Sequence, residues 1–189
     1  MERERYEEVL SISARLFREK GFRATSMEDI SREMGLTKAA LYYYIESKHD
    51  LLYQICDSAI THLIEGVREI ATMPGTPEER LIRLIRWHVN MFSANGDIMN
   101  VYLADEGELP EEKREHMRAL SREFEGVYRK IMREAIRKKD FRKLDVPVVV
   151  RAVSGMCNWL SIWYDPRGKL SADKVADIFI DLILQGVRA

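Results

Sequence analysis

Apolar residues recur every three to four positions along nearly all of this chain, and no segment alternates with period two over a convincing length. The pattern predicts helices throughout. Tyr6, Val9, Leu10, Ala14 and Phe17 share one face of a helix from about Arg3 to Lys20, and Gly21 ends it. Two short helices follow between Thr25 and Lys48. Ser47 and Asp50 then open a longer helix with an apolar stripe of Leu52, Ile55, Ala59, Leu63 and Ile70. MPGTP, residues 73–77, is the clearest loop. Thr76 and Glu79, with Pro77 at the first position, start a helix that is apolar nearly all round and is therefore expected to be enclosed. Ala94-Asn95-Gly96 breaks it, and a short segment runs from Ile98 to Asp105. The longest helix is predicted from Pro110 to about Lys139, with Met117, Leu120, Phe124, Val127, Ile131 and Ala135 inward. Asp145 and Pro147 open a helix that runs to Tyr164; Val146–Val150 is β-branched, but the cap before it and the period after it favour a helix. Ser171 caps the last helix.

The most informative stretch is TSMEDISREMGLTKAALYYYIESK, residues 25–48. Thr25 and Glu28 match a T-x-x-E capping box. Ile30 and Met34 face one way, Gly35 supplies a positive φ, Leu36 plugs the corner, and Thr37 caps a second helix whose Leu41 and Ile45 face inward. Helix, Gly-containing turn, helix is the helix-turn-helix pattern, whose second helix enters a DNA major groove. Lys38 suits a guanine edge or a phosphate, and the small Ala39 and Ala40 let the helix sit deep against thymine methyls. Tyr42 and Tyr43 offer flat faces with hydroxyls that reach phosphate oxygens. Three adjacent tyrosines cannot all face one core on a helix. Lys48 and the helix start beside it are expected to hold a phosphate. Thr25, Ser26 and Thr37 complete the expected DNA face.

GFRATSMEDISREMGLTKAALYYYIESKHDLL resembles the N-terminal domain of TetR-family (tetracycline-repressor-like) regulators, from near Val9 through Leu52. Ile45 stands where the family usually has Phe, and Ser31 where it usually has Ala; both are packing positions. The resemblance implies an all-α fold. A three-helix DNA-binding domain over residues 1–46 is followed by a helical ligand-binding and dimerisation domain over residues 47–189. The helix from Ser47 to Ile70 is the connection between them.

Charge alone does not announce nucleic acid. Thirty basic residues face 31 acidic ones, and residues 1–50 hold nine Lys and Arg against ten Asp and Glu. The acids at Glu2, Glu4, Glu7, Glu8, Glu28 and Asp29 are expected to lie away from the exposed face of the second short helix. Affinity then comes from a local patch of Arg23, Lys38 and Lys48, doubled by dimerisation. No apolar run approaches the roughly 20 residues of a membrane span, the charged N-terminus is no signal peptide, and a cytoplasmic protein is expected. Cys56 and Cys157 are too far apart in sequence for a paired motif and read as core fillers. His49, His62, His88 and His116 are scattered, without metal-ligand or catalytic spacing, so no catalytic residue, metal or cofactor is expected.

The second half resembles the regulatory domains of the same family. Ser154, Gly155 and Gly186 are small residues that let helices approach closely. In the family the last two helices pair with those of a second subunit, so Gly155, Val175, Phe179, Leu182 and Gly186 are expected at a homodimer interface; the alternative is packing within one chain. A dimer suits a palindromic double-stranded operator. Trp159 and Trp163, four apart, are expected to line an apolar cavity with Trp87, Met91, Phe92, Tyr102 and Phe124. The ending W-Y-x-P-x-G resembles the subgroup that senses acyl-CoA thioesters in fatty-acid and steroid degradation, which implies an apolar effector, an acyl-CoA first. A general lipophile or drug sensor, or a helical DNA-binding protein without an effector, are the alternatives. The arginines from Arg114 to Arg137 read mainly as a solvated face paired with Glu111, Glu115, Glu123 and Glu125.

Overall fold

The computed structural model describes residues 2–189, the side chains of Glu2 and Arg3 excepted, so the acidic side chain expected at Glu2 lies outside the described residues. The described residues form α1 (Glu2–Lys20), α2 (Met27–Glu33), α3 (Lys38–Tyr44), α4 (Lys48–Thr72), α5 (Pro77–Ala94) and α6 (Gly96–Asp105). A 3-10 turn (Glu106–Glu108) comes next, then α7 (Glu111–Lys138), α8 (Val146–Asn158), α9 (Leu160–Trp163) and α10 (Ala172–Val187). The only β pairing among them is a single bridge between Phe141 and Arg188.

Local chemistry sets the helix boundaries. Thr76 accepts from the Glu79 amide at 3.1 Å while the Glu79 carboxylate takes the Thr76 amide at 2.8 Å, with Pro77 next to the cap. Asp145 and Ser171 cap α8 and α10 through side-chain oxygens. The helix expected to run unbroken to Tyr164 instead stops at Asn158, and Trp159 sits between α8 and α9. Val146–Trp163 is long and apolar enough to cross a membrane by length and composition. The break, Arg151 within it, and the packing of α8 and α9 on α5 fit a partly exposed helix pair instead.

The chain divides into two compact units, and the division differs from a cut after Glu46. The first holds residues up to Ile60 together with Asp97–Arg118; the second holds Thr61–Gly96 and Ala119–Ala189. The core of the first includes Val9, Ala14, Phe17, Ile30, Leu41, Ile45, Leu51 and Leu52, all essentially without exposed surface. The second is built on α5, which packs chiefly against α10 and also against α8 and α9. Leu81, Leu84, Ile85, Val89 and Phe92 are buried there.

Candidate nucleic-acid interface and regulatory core

The geometry of α2 and α3 follows from a chain of caps. Gly21, at φ 85°, donates to Phe17 O at 2.8 Å and closes α1. Thr25 is buried, and its hydroxyl donates to Gly21 O at 2.9 Å and Leu16 O at 3.3 Å. It therefore ties the turn to α1 and is not the helix cap. The cap is one residue later. Ser26 accepts from the Asp29 amide at 3.1 Å, and the Asp29 carboxylate takes the Ser26 amide at 3.0 Å. The Ser26 hydroxyl and amide together hold the Asp29 carboxyl down at about 2, so this box stays ionised and closed. At the other end Leu36 N–H reaches Ser31 O at 2.8 Å and Gly35 N–H reaches Arg32 O at 3.1 Å, with Gly35 at φ 62°. This paired closure fixes the turn between the two helices.

Thr37 then caps α3 through the Ala40 amide at 3.1 Å, so its hydroxyl, too, serves the fold. Leu41 and Ile45 point into the core while Lys38, Ala39, Tyr42 and Tyr43 point out. Tyr43 is 74% exposed and its ring meets that of Tyr44 edge-on at 5.2 Å. Exposed aromatic surface on α3 suits insertion into a groove.

Lys48 has partners within the chain that its place in the sequence does not suggest. Its ammonium donates to Phe22 O at 2.9 Å, Thr25 O at 2.9 Å and Arg23 O at 3.3 Å, and lies 4.5 Å from the Phe22 ring. An ammonium has three protons, and here each has a carbonyl within reach, so Lys48 staples the α1–α2 turn. One of the acids expected to lie away from α3 does not. Glu28 lies against the α3 face: its Oε1 accepts from Lys38 Nζ at 2.8 Å. That hydrogen bond holds the Glu28 carboxyl below its ordinary range and the Lys38 ammonium above its own.

The second unit buries a polar residue that no sequence motif singles out. His88, in α5, is fully buried between Phe92 and Phe124, each ring centred 5.0 Å away. Its Nε2 pairs with Asn158 Oδ1 at 2.9 Å and its Nδ1 faces the Tyr128 hydroxyl at 3.4 Å. That hydroxyl donates to Leu84 O at 3.1 Å. Burial drives the His88 pKa down to about 4, against the opposing pull of Asn158, so the imidazole is neutral. Phe92 and Phe124 thus share a cluster. Met91 is half-buried in α5. Trp87 turns away: its indole lies over Gly66 of α4 and its N–H reaches Leu63 O at 3.4 Å. Tyr102 is buried in the first unit. Trp159 and Trp163 are 61% and 46% exposed, so within one protomer they do not line an enclosed cavity. Trp159 keeps helical geometry, its N–H reaching Gly155 O at 3.1 Å, so it continues the exposed face of α8.

Among the expected interface residues, Val175 is buried in its own chain and so faces the protomer core. Phe179 is half-buried, and Gly155, Leu182 and Gly186 are exposed, joined by Val148, Ile162 and Ile178. Three of the α7 arginines pair with acids of their own helix, Arg114 and Arg118 with Glu111 and Arg129 with Glu125, while Glu123 is taken by Arg68. Burial pushes the thiols of Cys56 and Cys157 up to about 12, which fits core packing and not thiolate chemistry.

This arrangement is matched in known proteins. Residues 9–55 match the model of bacterial regulatory proteins of the tetR family, and residues 74–187 match the tetracyclin repressor-like C-terminal domain. The chain belongs to the TetR family of transcriptional regulators. It is 26% identical over 183 residues to the HTH-type transcriptional repressor KstR2 of Rhodococcus jostii, covering 95% of this chain and 89% of that protein. It is 35% identical to the TetR-family regulator PfmR of Thermus thermophilus, with TM-score 0.87 over 94% of this chain and 97% of that one. AibR, solved in complex with isovaleryl coenzyme A and operator DNA, is 26% identical, with TM-score 0.83 over 94% of this chain and 97% of AibR.

Proposed function

We propose that this regulator acts as a homodimeric repressor in the cytoplasm, that α3 reads a palindromic operator, and that an acyl-CoA binding to the helical region after residue 46 releases it. The observation that supports the DNA reading most directly is α3 itself, with Leu41 and Ile45 anchored inward and Lys38, Ala39, Tyr42 and Tyr43 turned outward. Residues 1–46 supply the contacts to DNA in this reading. With Thr25 and Lys48 committed internally, base and phosphate contacts fall to Lys38, Ala39, Ala40, Tyr42 and Tyr43, with Ser26 at the start of α2.

The effector reading rests on likeness to AibR, whose structure holds a coenzyme A thioester and operator DNA together. In this reading the acyl chain lies against the apolar cluster of Phe92, Phe124 and Tyr128 around His88, whose rings would have to part to admit it. The exposed Trp159 and Trp163 offer surface to a ligand or to a second subunit. A catalytic role is no part of this reading. Effector and operator are coupled only as far as the effector prefers the DNA-incompetent state; about 1–3 kcal/mol is usual. The test is release of operator titrated with a long-chain acyl-CoA, the matching free acid and CoA alone. Release by the thioester alone supports the acyl-CoA reading, equal release by the free acid points to a general lipophile sensor, and no release by either leaves a constitutive helical DNA-binding protein.

A further inference from the structure

The recognition helix α3 carries a single charged side chain, Lys38, and that charge is already compensated by Glu28. The same holds around it. Arg23 Nε reaches both carboxylate oxygens of Glu108, at 3.1 and 3.2 Å. Arg18 is paired with Asp97, Lys20 and Arg32 share Asp29, and Arg15 holds Glu33. Lys48 is surrounded by carbonyls. A regulator whose DNA-binding unit is so compensated lacks the uniform basic surface that gives non-specific attraction to DNA.

We propose that Glu28 is a specificity-determining residue, an internal counter-ion that holds the Lys38 ammonium in one place on α3 and withholds it from phosphates at random sites. Sequence-independent affinity comes from cations that neutralise phosphates and release condensed counterions. A cation that must first leave a carboxylate exchanges one anion for another and releases little. At the operator the base contacts of α3 are present in addition, and a fixed ammonium meets the edge it is aimed at. The inference rests on α3 being the helix that meets DNA.

The experiment compares Glu28→Gln, Lys38→Met and the double variant with wild type, on operator and on unrelated duplex, across a range of salt. Melting curves confirm that each variant is folded. For Glu28→Gln the expected result on unrelated DNA is, for each recognition helix that engages it, affinity raised roughly five-fold at 0.15 M salt and a log–log salt slope steeper by about 0.9. Operator affinity changes much less, so the specificity ratio falls. In the Lys38→Met background the Glu28→Gln gain disappears. An equal gain without Lys38 would mean that Glu28 merely repels phosphates, and would overturn the proposal. So would an unchanged salt slope, or a loss of operator affinity confined to one base position, which would make Glu28 itself a base reader. If Lys38→Met altered neither operator nor unrelated binding, α3 would not be the reading helix and the underlying assignment would fall as well.

Discussion

His88 shows how much a single side chain can carry that its sequence neighbours conceal. Flanked by Trp87 and Val89, it offers no motif; only the fold places it among Phe92, Phe124 and Tyr128 with Asn158 across from it. Its pKa is about 4 in the folded chain against an ordinary 6.5, so the unfolded chain takes up a proton that the folded one refuses. Stability is therefore full above pH 6.5, falls as pH drops through that value, and levels off only below about 4. From this group alone, lowering pH from 7.5 to 5 should remove about 2 kcal/mol. Urea midpoints at fixed protein concentration would show it, and a folded His88→Gln variant should have a much flatter profile over that range. The carboxylates held low by ion pairs, such as Glu28, Glu33 and Glu111, lose their contribution at lower pH and do not mimic the effect. Lys48 teaches the converse. A lysine next to a helix start reads as a phosphate ligand, but the three carbonyls it satisfies belong to Phe22, Arg23 and Thr25, more than 20 residues back. Sequence spacing carries no trace of that contact.

At the scale of elements the sequence was most legible where the interaction is local. The helix starts at Thr76, Asp145 and Ser171, the turn at Gly35 and the inward positions of α3 all follow from residues within four of one another. The cap of α2 slipped by one position because Thr25-Ser26 offers two hydroxyls, and T-x-x-E overlaps S-x-x-D. Burial of Thr25 and its bond to Gly21 O decide between them, and burial is tertiary. The interruption at Trp159 left no mark either: α8 and α9 share an unbroken apolar period, and Trp159 itself keeps helical dihedrals. Packing between α4 and α5 gives a sharper test. A Cβ at Gly66 would stand 2.1 Å from Trp87 Cε2, inside the indole. Gly66→Ala must displace the ring and its bond to Leu63 O, at a cost of about 1–3 kcal/mol typical of overpacking, despite the better helix propensity of alanine. Chemical denaturation would measure it, and pairing the change with Trp87→Leu should recover most of the loss.

For the whole molecule, compactness and function divide the chain differently. α4 and α7 each contribute residues to both compact units, and the Asp97–Arg118 segment belongs with the helix-turn-helix through pairs such as Arg18 with Asp97 and Arg23 with Glu108. Such long-range pairs leave no periodic mark, so a boundary after Glu46 was all that helical pattern and resemblance suggested. The proposed dimer belongs to this scale as well. Val148, Ala152, Gly155 and Trp159 are exposed and recur every three or four residues, and Ile178, Leu182 and Gly186 do the same on α10. Two apolar stripes with no cover in their own protomer fit a surface that meets a second copy. Gly155 separates this reading from packing within the chain, because a Cβ built there meets no atom within 4 Å. Leucine at that position should leave the protomer fold intact, with helix propensity alone slightly favouring it. If the stripe is the interface, the same leucine must push the partner helices apart. Sedimentation of Gly155→Leu and Leu182→Asp at low micromolar concentration should then show monomers with native helix content, and operator affinity should collapse, since one half-site contact is weak at physiological salt. Dimers that persisted in both variants would place the interface on another face and leave the exposed tryptophans to the effector.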